Sequence, residues 1–184
     1  MLILTIRTDK PEAEVGLFEI SVPQALHSDG MRGAVEQRSK PYMKYGERVA
    51  ESATKQSAEN TFRITISASK QESVVQRLGY EKWQAHRDLS ITIHKKILEV
   101  LKSQKKGWND LGGLVCYKGP GSFTGLRIGL TVGNALASGL GVPIVSTTGK
   151  DWAEKGINKV NNGQNEKIAL PKYGAPVHIT KPRK

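Results

Sequence analysis

The feature that most constrains the fold is a glycine-rich loop, GPGSFTG at residues 119–125, which joins an apolar run to a long helical pattern. The run before it, residues 111–117, is almost continuously apolar, as in a strand buried on both faces of a sheet. The helix continues to about residue 140, and a further strand pattern follows at residues 142–146. Strands that alternate with helices predict parallel strands joined by right-handed crossovers, and therefore an α/β fold.

The helix after the loop carries a row of small residues at every fourth position: Gly125, Gly129, Gly133 and Ala137. Each glycine weakens a helix by roughly 1 kcal/mol relative to alanine, so the row requires a compensating close approach of another helix or of the sheet. Residues 128–149 contain no charged side chain. A proline, an asparagine and the glycines nevertheless argue against a membrane helix, and a buried helix followed by a buried strand is the better interpretation.

The N-terminal part of the chain has β character. Residues 2–8 and 13–21 predict an antiparallel hairpin, and residues 75–83 predict a third strand. The interval 22–74 is rich in polar residues, glycine and proline, and predicts a flexible insertion in which residues 62–66 could add a short strand.

Residues 86–105 predict an amphipathic helix whose apolar positions extend further round than one sheet contact needs. The main stripe consists of Leu89, Ile93, Ile97, Val100 and Leu101, with Ile91 and Leu98 on a neighbouring flank. Either the helix is sunk deep in its own core, or the surplus flank meets a partner helix.

Charge and cysteine content limit the class of protein. The net charge of +11 favours an anionic partner, nucleic acid before membrane, although basic residues spread singly among apolar ones fit a solvated surface equally well. The single cysteine, Cys116, excludes an internal disulfide and agrees with a reducing compartment. The first ten residues predict a strand and not a signal peptide, so a cytoplasmic location without membrane attachment is expected.

The glycine-rich loop could bind an anion through backbone N–H groups at a helix N-terminus. The candidate residues are Gly119, Gly121, Ser122, Thr124 and Arg127. The loop lacks the GK[ST] ending of a Walker loop, and a tight turn that leads the chain into a packed helix is the alternative.

No catalytic residue and no metal site are predicted. The four histidines form neither an HExxH pattern nor a cluster with metal-ligand spacing. Cys116 lies within an apolar strand, where a thiolate would be desolvated, so it is interpreted as a core residue and not as a nucleophile.

Three segments together resemble the bacterial TsaB (YeaZ) family: LILTIRTDKPEAEVGLF, WQAHRDLSITIHKKILEVL and GPGSFTGLRIGLTVGNALASGLGVPIVSTTG. The resemblance implies an α/β lobe of the actin/Hsp70-like (ribonuclease H-like) fold. Its mixed five-stranded sheet would have strands 1–3 antiparallel and later strands parallel, with the second lobe missing or vestigial. The domain would span residues 1–149, interrupted by the flexible insertion 22–74, and residues 150–184 would be a short basic C-terminal extension.

The resemblance implies a non-catalytic accessory subunit. Such a scaffold would bind a TsaD-like transferase, which cooperates with a TsaE-like ATPase and with a separate threonylcarbamoyl-adenylate synthase. Together they would modify N6 of the adenosine adjacent to the tRNA anticodon, with tRNA reached through the complex. No cofactor is expected, with ATP or ADP at the partner junction as the alternative, and the same helices could form a homodimer. The implied partner-interface residues are His86, Leu89, Ile93, Ile97, Leu101, Gly125, Gly129, Gly133 and Ala137.

The chain departs from the family pattern at the end of its first strand. Where the family commonly has an acidic residue, this sequence has Arg7, followed two residues later by Asp9. A cation there opposes Mg-ATP binding, which agrees with a non-catalytic role. Two other functions remain open: a small ATP-binding phosphotransferase or ATPase that uses the loop, and a basic RNA-binding module that uses the insertion and the tail.

Overall fold

The computed structural model describes residues 1–21, 61–66 and 71–174. These residues form six strands, three α-helices and two short 3-10 turns. The strands are β1 Leu2–Arg7, β2 Glu12–Ser21, β3 Thr61–Ile66, β4 Gln71–Gln84, β5 Leu111–Tyr117 and β6 Ile144–Thr147, and the helices are α1 Leu89–Ser103, α2 Phe123–Leu140 and α3 Trp152–Asn161.

All six strands belong to one mixed sheet with the order β3-β4-β2-β1-β5-β6. Neighbouring strands from β3 to β1 run antiparallel, whereas β1, β5 and β6 are mutually parallel. The predicted fold class is confirmed: the five predicted strands are present with the expected directions, and β3 adds a sixth strand at one edge.

Alternation along the strands creates two cores, one on each face of the sheet. In β1 the side chains of Leu2, Leu4 and Ile6 join the core beneath α1 and α2, and the side chain of Ile3 joins the core beneath α3. Helix α1 packs on β2 and β4, α2 packs on β1 and β5, and α3 packs on β5 and β6. Strand β1 is therefore buried on both faces, in agreement with its largely apolar sequence.

The predicted insertion 22–74 needs a corrected C-terminal boundary. Its residues 61–66 form β3, and its residues 71–74 begin β4, where Val74 pairs with Ser21 of β2. These strands extend the sheet because antiparallel pairing supplies their backbone hydrogen bonds. Residues 22–60 and 67–70 lie outside the described residues.

The predicted C-terminal extension 150–184 also needs correction. Residues 152–161 form α3, whose Trp152, Ile157 and Val160 are buried against the sheet. Residues 150–174 are therefore part of the packed domain, and residues 175–184 lie outside the described residues. Within the described ranges, no helix combines the length and apolarity needed to cross a membrane.

Candidate functional site

The glycine-rich loop is fastened to the turn that follows β1. The backbone N–H of Ser122 donates to the carbonyl oxygen of Asp9 (2.7 Å). The Ser122 hydroxyl caps α2 by accepting from the N–H of Gly125 (3.3 Å), and the Ser122 carbonyl accepts from the N–H of Leu126 (2.9 Å). Three of the N–H groups that an anion could have used are therefore engaged within the chain.

The glycines of the loop are required by close contact with the same turn. An added Cβ at Gly121 would collide with Asp9, and one at Gly125 would collide with the carbonyl oxygen of Thr8. Gly119 has a φ of +119°, and a Cβ there would meet the carbonyl oxygen of Lys172. The tight-turn interpretation therefore accounts for these residues.

Arg7 and Asp9 form an ion pair at the end of β1. Arg7 Nε donates to Asp9 Oδ1 (2.6 Å), and Arg7 Nη2 donates to Asp9 Oδ2 (3.3 Å). The Asp9 side chain is only 4% exposed, and the Arg7 guanidinium lies 4.6 Å from the centroid of the Tyr117 ring. The hydrogen bond to Asp9 raises the pKa of Arg7 further above its usual value. The carboxylate is thus engaged by a permanent cation.

Arg127 takes part in an exposed aromatic cluster at the start of α2. Its Nε donates to the hydroxyl of Tyr173 (3.1 Å), and its guanidinium lies 4.0 Å from the centroid of the Phe123 ring. The structure brings all the predicted anion-binding residues into one loop and helix turn, with Ser122 and Thr124 exposed. Anion binding by these residues stays a prediction.

Residues 165–174, which we name the C-terminal strap, hold the loop from outside. The side chain of Asn134 in α2 donates to the carbonyl of Ala169 (3.0 Å) and accepts from its N–H (2.8 Å). Further along, the N–H of Lys172 donates to the carbonyl of Lys118 (2.6 Å). Sequence reasoning missed this contact, although the one side-chain amide in the uncharged run 128–149 was a signal for it.

The predicted partner interface is wrong for every residue except His86, because the other residues are buried in the chain's own core. Helix α1 directs its main apolar stripe at β2 and β4, and α2 directs its glycine row at β1 and β5. An added Cβ at Gly129 would collide with Thr8, and one at Gly133 would collide with Cys116 Sγ. The buried residues are Leu89, Ile93, Ile97, Leu101, Gly125, Gly129, Gly133 and Ala137.

A different part of the same two helices remains uncovered by the described residues. Ile91 of α1 is 62% exposed, and Leu98, seven residues later on the same flank, is half-buried. In α2, Ala135 is exposed and Ile128 is half-buried, again seven residues apart. We name these four residues the outer helix surface.

The two halves of the outer helix surface lie on helices that contact each other. The opposite flank of α1 is tied to β4, where Trp83 Nε1 donates to Thr92 Oγ1 (3.1 Å). The opposite flank of α2 carries Asn134, which binds the C-terminal strap. On each helix the outer helix surface lies on a different flank from these two contacts.

Neither metal-binding clusters nor a reactive thiol are found in the described parts of the chain. No group of three or more His, Cys, Asp or Glu residues there could hold a metal ion. Cys116 is buried, and burial raises the pKa of its thiol to about 12, so it is protonated at neutral pH.

Comparisons with known proteins give one family and several distant structures. The family model of TsaD, tRNA N6-adenosine threonylcarbamoyltransferase, matches residues 61–148, slightly less than half of the chain. This match confirms the resemblance to the glycoprotease-like group inferred from the sequence. A comparison with curated proteins finds no sequence match.

Similar solved structures include YeaZ from Pseudomonas aeruginosa and an uncharacterized protein with similarity to peptidase YeaZ from the same organism. Each shares 14% identity with this chain, covers 80% of it and has a TM-score of 0.46. RuvC from Thermus thermophilus shares 12% identity over 80% of this chain and 62% of its own, with a TM-score of 0.39. The chain covers 43% of each YeaZ-type structure, less than half of their length.

Proposed function

We propose that this chain is a non-catalytic subunit that binds a TsaD-like transferase during threonylcarbamoylation of tRNA at N6 of the adenosine beside the anticodon. The match to the TsaD family model supports a role in this tRNA-modification group. The observation that carries the partner-binding role is the outer helix surface, on which Ile91 is 62% exposed.

The chemistry of the outer helix surface favours a helical partner. Burying an isoleucine or leucine side chain contributes about 1.5–3 kcal/mol. Within the chain Ile91, 62% exposed, obtains little of this, and the half-buried Leu98 obtains part of it. Spacings of seven residues in both helices match the contacts of packed helices. Two helices from each subunit would therefore form a four-helix contact around the groove between α1 and α2.

The contacts in the region after β1 favour a non-catalytic role for this chain. In the described residues the Asp9 carboxylate is buried against Arg7, and the N–H groups of Ser122 and Gly125 are engaged within the chain. A Mg-nucleotide would have to break the ion pair and displace a permanent cation. We therefore expect the TsaD-like partner to perform the transfer, with tRNA and a TsaE-like ATPase engaged by the complex.

The decisive experiment measures binding to the TsaD-like protein of the same organism. We expect a stable heterocomplex by size-exclusion chromatography, and the double variant Ile91→Asp, Leu98→Asp should weaken its Kd at least about 100-fold, because two carboxylates would be buried unpaired. Leu170→Asp is the matched control, since Leu170 is 68% exposed on the C-terminal strap, away from the outer helix surface.

Three outcomes separate the alternatives. Unchanged affinity in the double variant, or equal loss in the control, would rule out the outer helix surface as the contact. No association with the TsaD-like protein would refute the subunit role. A homodimer of the isolated chain that the double variant dissociates, without any heterocomplex, would assign the same surface to self-association.

A further inference from the structure

A lysine-lined cavity lies beside α3 and shares no residue with the outer helix surface. It has a volume of about 400 Å³ and opens between α3 and the carboxyl ends of β5 and β6. The carboxyl ends of parallel strands are where open α/β sheets bind ligands. Its volume falls within the range of about 300–1,000 Å³ that small-ligand sites occupy.

Helix α3 contributes one continuous polar face to this cavity. Lys155, Asn158, Lys159 and Asn162 occupy positions i, i+3, i+4 and i+7, which share one side of a helix. The facing wall includes Lys118, which directly follows β5. Three cationic side chains from two separate parts of the sequence therefore converge on one space.

The positive charge of the cavity is only partly compensated by the described residues. Lys155 Nζ lies 3.6 Å from Asp151 Oδ2, whereas neither Lys118 nor Lys159 forms an ion pair with a residue in the described ranges. Glu166 lies behind the lining residue Ser146, and its Oε2 accepts from the hydroxyl of Ser146 (2.6 Å). None of the described residues that line the cavity is acidic. A bound anion would offset the mutual repulsion of the lysines.

We propose that this cavity binds a phosphoryl group. The described lining contains lysine, hydroxyl and amide side chains and no aromatic residue, so it favours a charged ligand and offers no ring on which a base could stack. Lysine binds phosphate as a compact point charge. The amide groups and the hydroxyl of Thr148 would add hydrogen bonds to phosphate oxygens, whereas the hydroxyls of Ser146 and Thr147 already donate to Glu166 and to the carbonyl of Trp152. The group can belong to a small phosphorylated molecule or to a nucleic-acid backbone.

This inference does not rest on the proposed partner, and its test uses the full chain alone. Isothermal titration calorimetry with tripolyphosphate compares the wild type with Lys118→Gln, Lys159→Gln. We expect saturable binding that weakens at least about tenfold, since two charge-assisted contacts are removed. The matched control is Lys95→Gln, Lys102→Gln, which removes the same charge from the exposed side of α1. Lys155→Gln, with a side chain that is 60% exposed, serves as a second cavity variant that leaves the packing undisturbed.

A single-stranded oligouridine distinguishes the two sources of the phosphoryl group. If the cavity variants weaken oligouridine binding and tripolyphosphate displaces it, the ligand is a nucleic-acid backbone. If the variants weaken only tripolyphosphate binding, the ligand is a small phosphorylated molecule. Absence of saturable tripolyphosphate binding by the wild type, or equal weakening in the cavity and control variants, would overturn the proposal.

Discussion

Individual glycines of α2 have different functions, although the sequence presents them as one row. Gly125 and Gly129 lie against Thr8 in the turn after β1, and Gly133 lies against Cys116 in β5. Gly139, in the same helix, has no atom within 4 Å of the position that its Cβ would take. The sequence predicted that the row needs a close neighbour, but it could not distinguish a partner helix from the sheet, because either one gives the same spacing.

This difference predicts opposite effects of the same substitution. Gly125→Ala and Gly129→Ala should each lower the free energy of unfolding by about 1–3 kcal/mol, because the methyl group is forced into Thr8. Gly139→Ala should raise it by about 0.5–1 kcal/mol, because alanine favours the helix and finds open space. Urea unfolding of the three variants and the wild type measures the predicted decreases and the predicted increase in unfolding free energy. If Gly129→Ala were as stable as the wild type, the close approach of α2 to β1 would be incorrect.

Burial of the Cys116 thiol makes the free energy of unfolding depend on pH, and the direction of this dependence follows from the pKa shift. Burial raises the pKa of its thiol from an ordinary value of 9.0 to about 12. Between these values the unfolded chain loses the proton and the folded chain keeps it, so the free energy of unfolding falls by up to about 1.4 kcal/mol per pH unit. The contribution is fully present below the ordinary thiol pKa and is lost as pH rises towards 12.

Cys116→Ala isolates this effect from other alkaline titrations, including that of Tyr80, whose pKa is also raised to about 12 by burial. We expect the difference in unfolding free energy between wild type and variant to be constant at neutral pH. Above the ordinary thiol pKa it should shift in favour of the variant. Urea unfolding of both proteins across this pH range measures the difference. If the unfolding free energies of wild type and variant changed in parallel with pH throughout, the buried thiol would not stay protonated.

At the scale of elements, the helices differ in how clearly the sequence predicts them. Helix α1 has a long apolar stripe, and its position and buried face follow from the periodicity. Helix α3 has only Trp152, Ile157 and Val160 on its buried face, with Gly156 between them, and was missed because so short a pattern resembles a polar tail. Gly156 lets α3 approach Val115 of β5 closely, a contact that depends on tertiary structure and leaves no periodic signal.

The C-terminal strap is an irregular element that depends on one side chain. Asn134→Ala removes two hydrogen bonds to the backbone of Ala169. We expect a loss of about 1–3 kcal/mol in unfolding free energy and faster proteolytic cleavage within residues 165–174, because freed backbone groups must find water. Asn109→Ala, at an exposed position outside the strap, is the control. Equal cleavage of both variants would show that Asn134 does not hold the strap.

For the whole molecule, the sequence predicted the α/β class and five of the strands, but it placed the limits of the packed unit too narrowly. The resemblance ends near residue 149, whereas α3 and the strap cover one face and one end of the sheet. Most of the predicted interface residues lie on the buried side of α1 and α2, because periodicity identifies an apolar stripe without showing what covers it. Ile91 and Leu98 stood out as surplus in the sequence, and in the structure Ile91 is exposed and Leu98 is half-buried.

Truncation tests the limits of the packed unit. A chain that ends at Gly149 would expose Val115, Tyr117 and Val145 on the face that α3 covers, so we expect no cooperative thermal transition and aggregation. A chain that ends at Gly174 keeps α3 and the strap and should unfold cooperatively. Circular dichroism on heating measures the transition. A cooperative transition in the shorter chain would mean that α3 is dispensable.

The placement of α1 and α2 on one face of the sheet and α3 on the other has a thermodynamic consequence. The outer helix surface and the lysine-lined cavity share no residue: the first lies on α1 and α2, and the second lies beside α3 at the carboxyl ends of β5 and β6. A partner docked on the outer helix surface would leave the cavity accessible, so the two proposed ligands would fit together in one ternary assembly. Without a shared element that changes conformation, the coupling free energy between them is close to zero, and occupancy of one site leaves the affinity of the other unchanged.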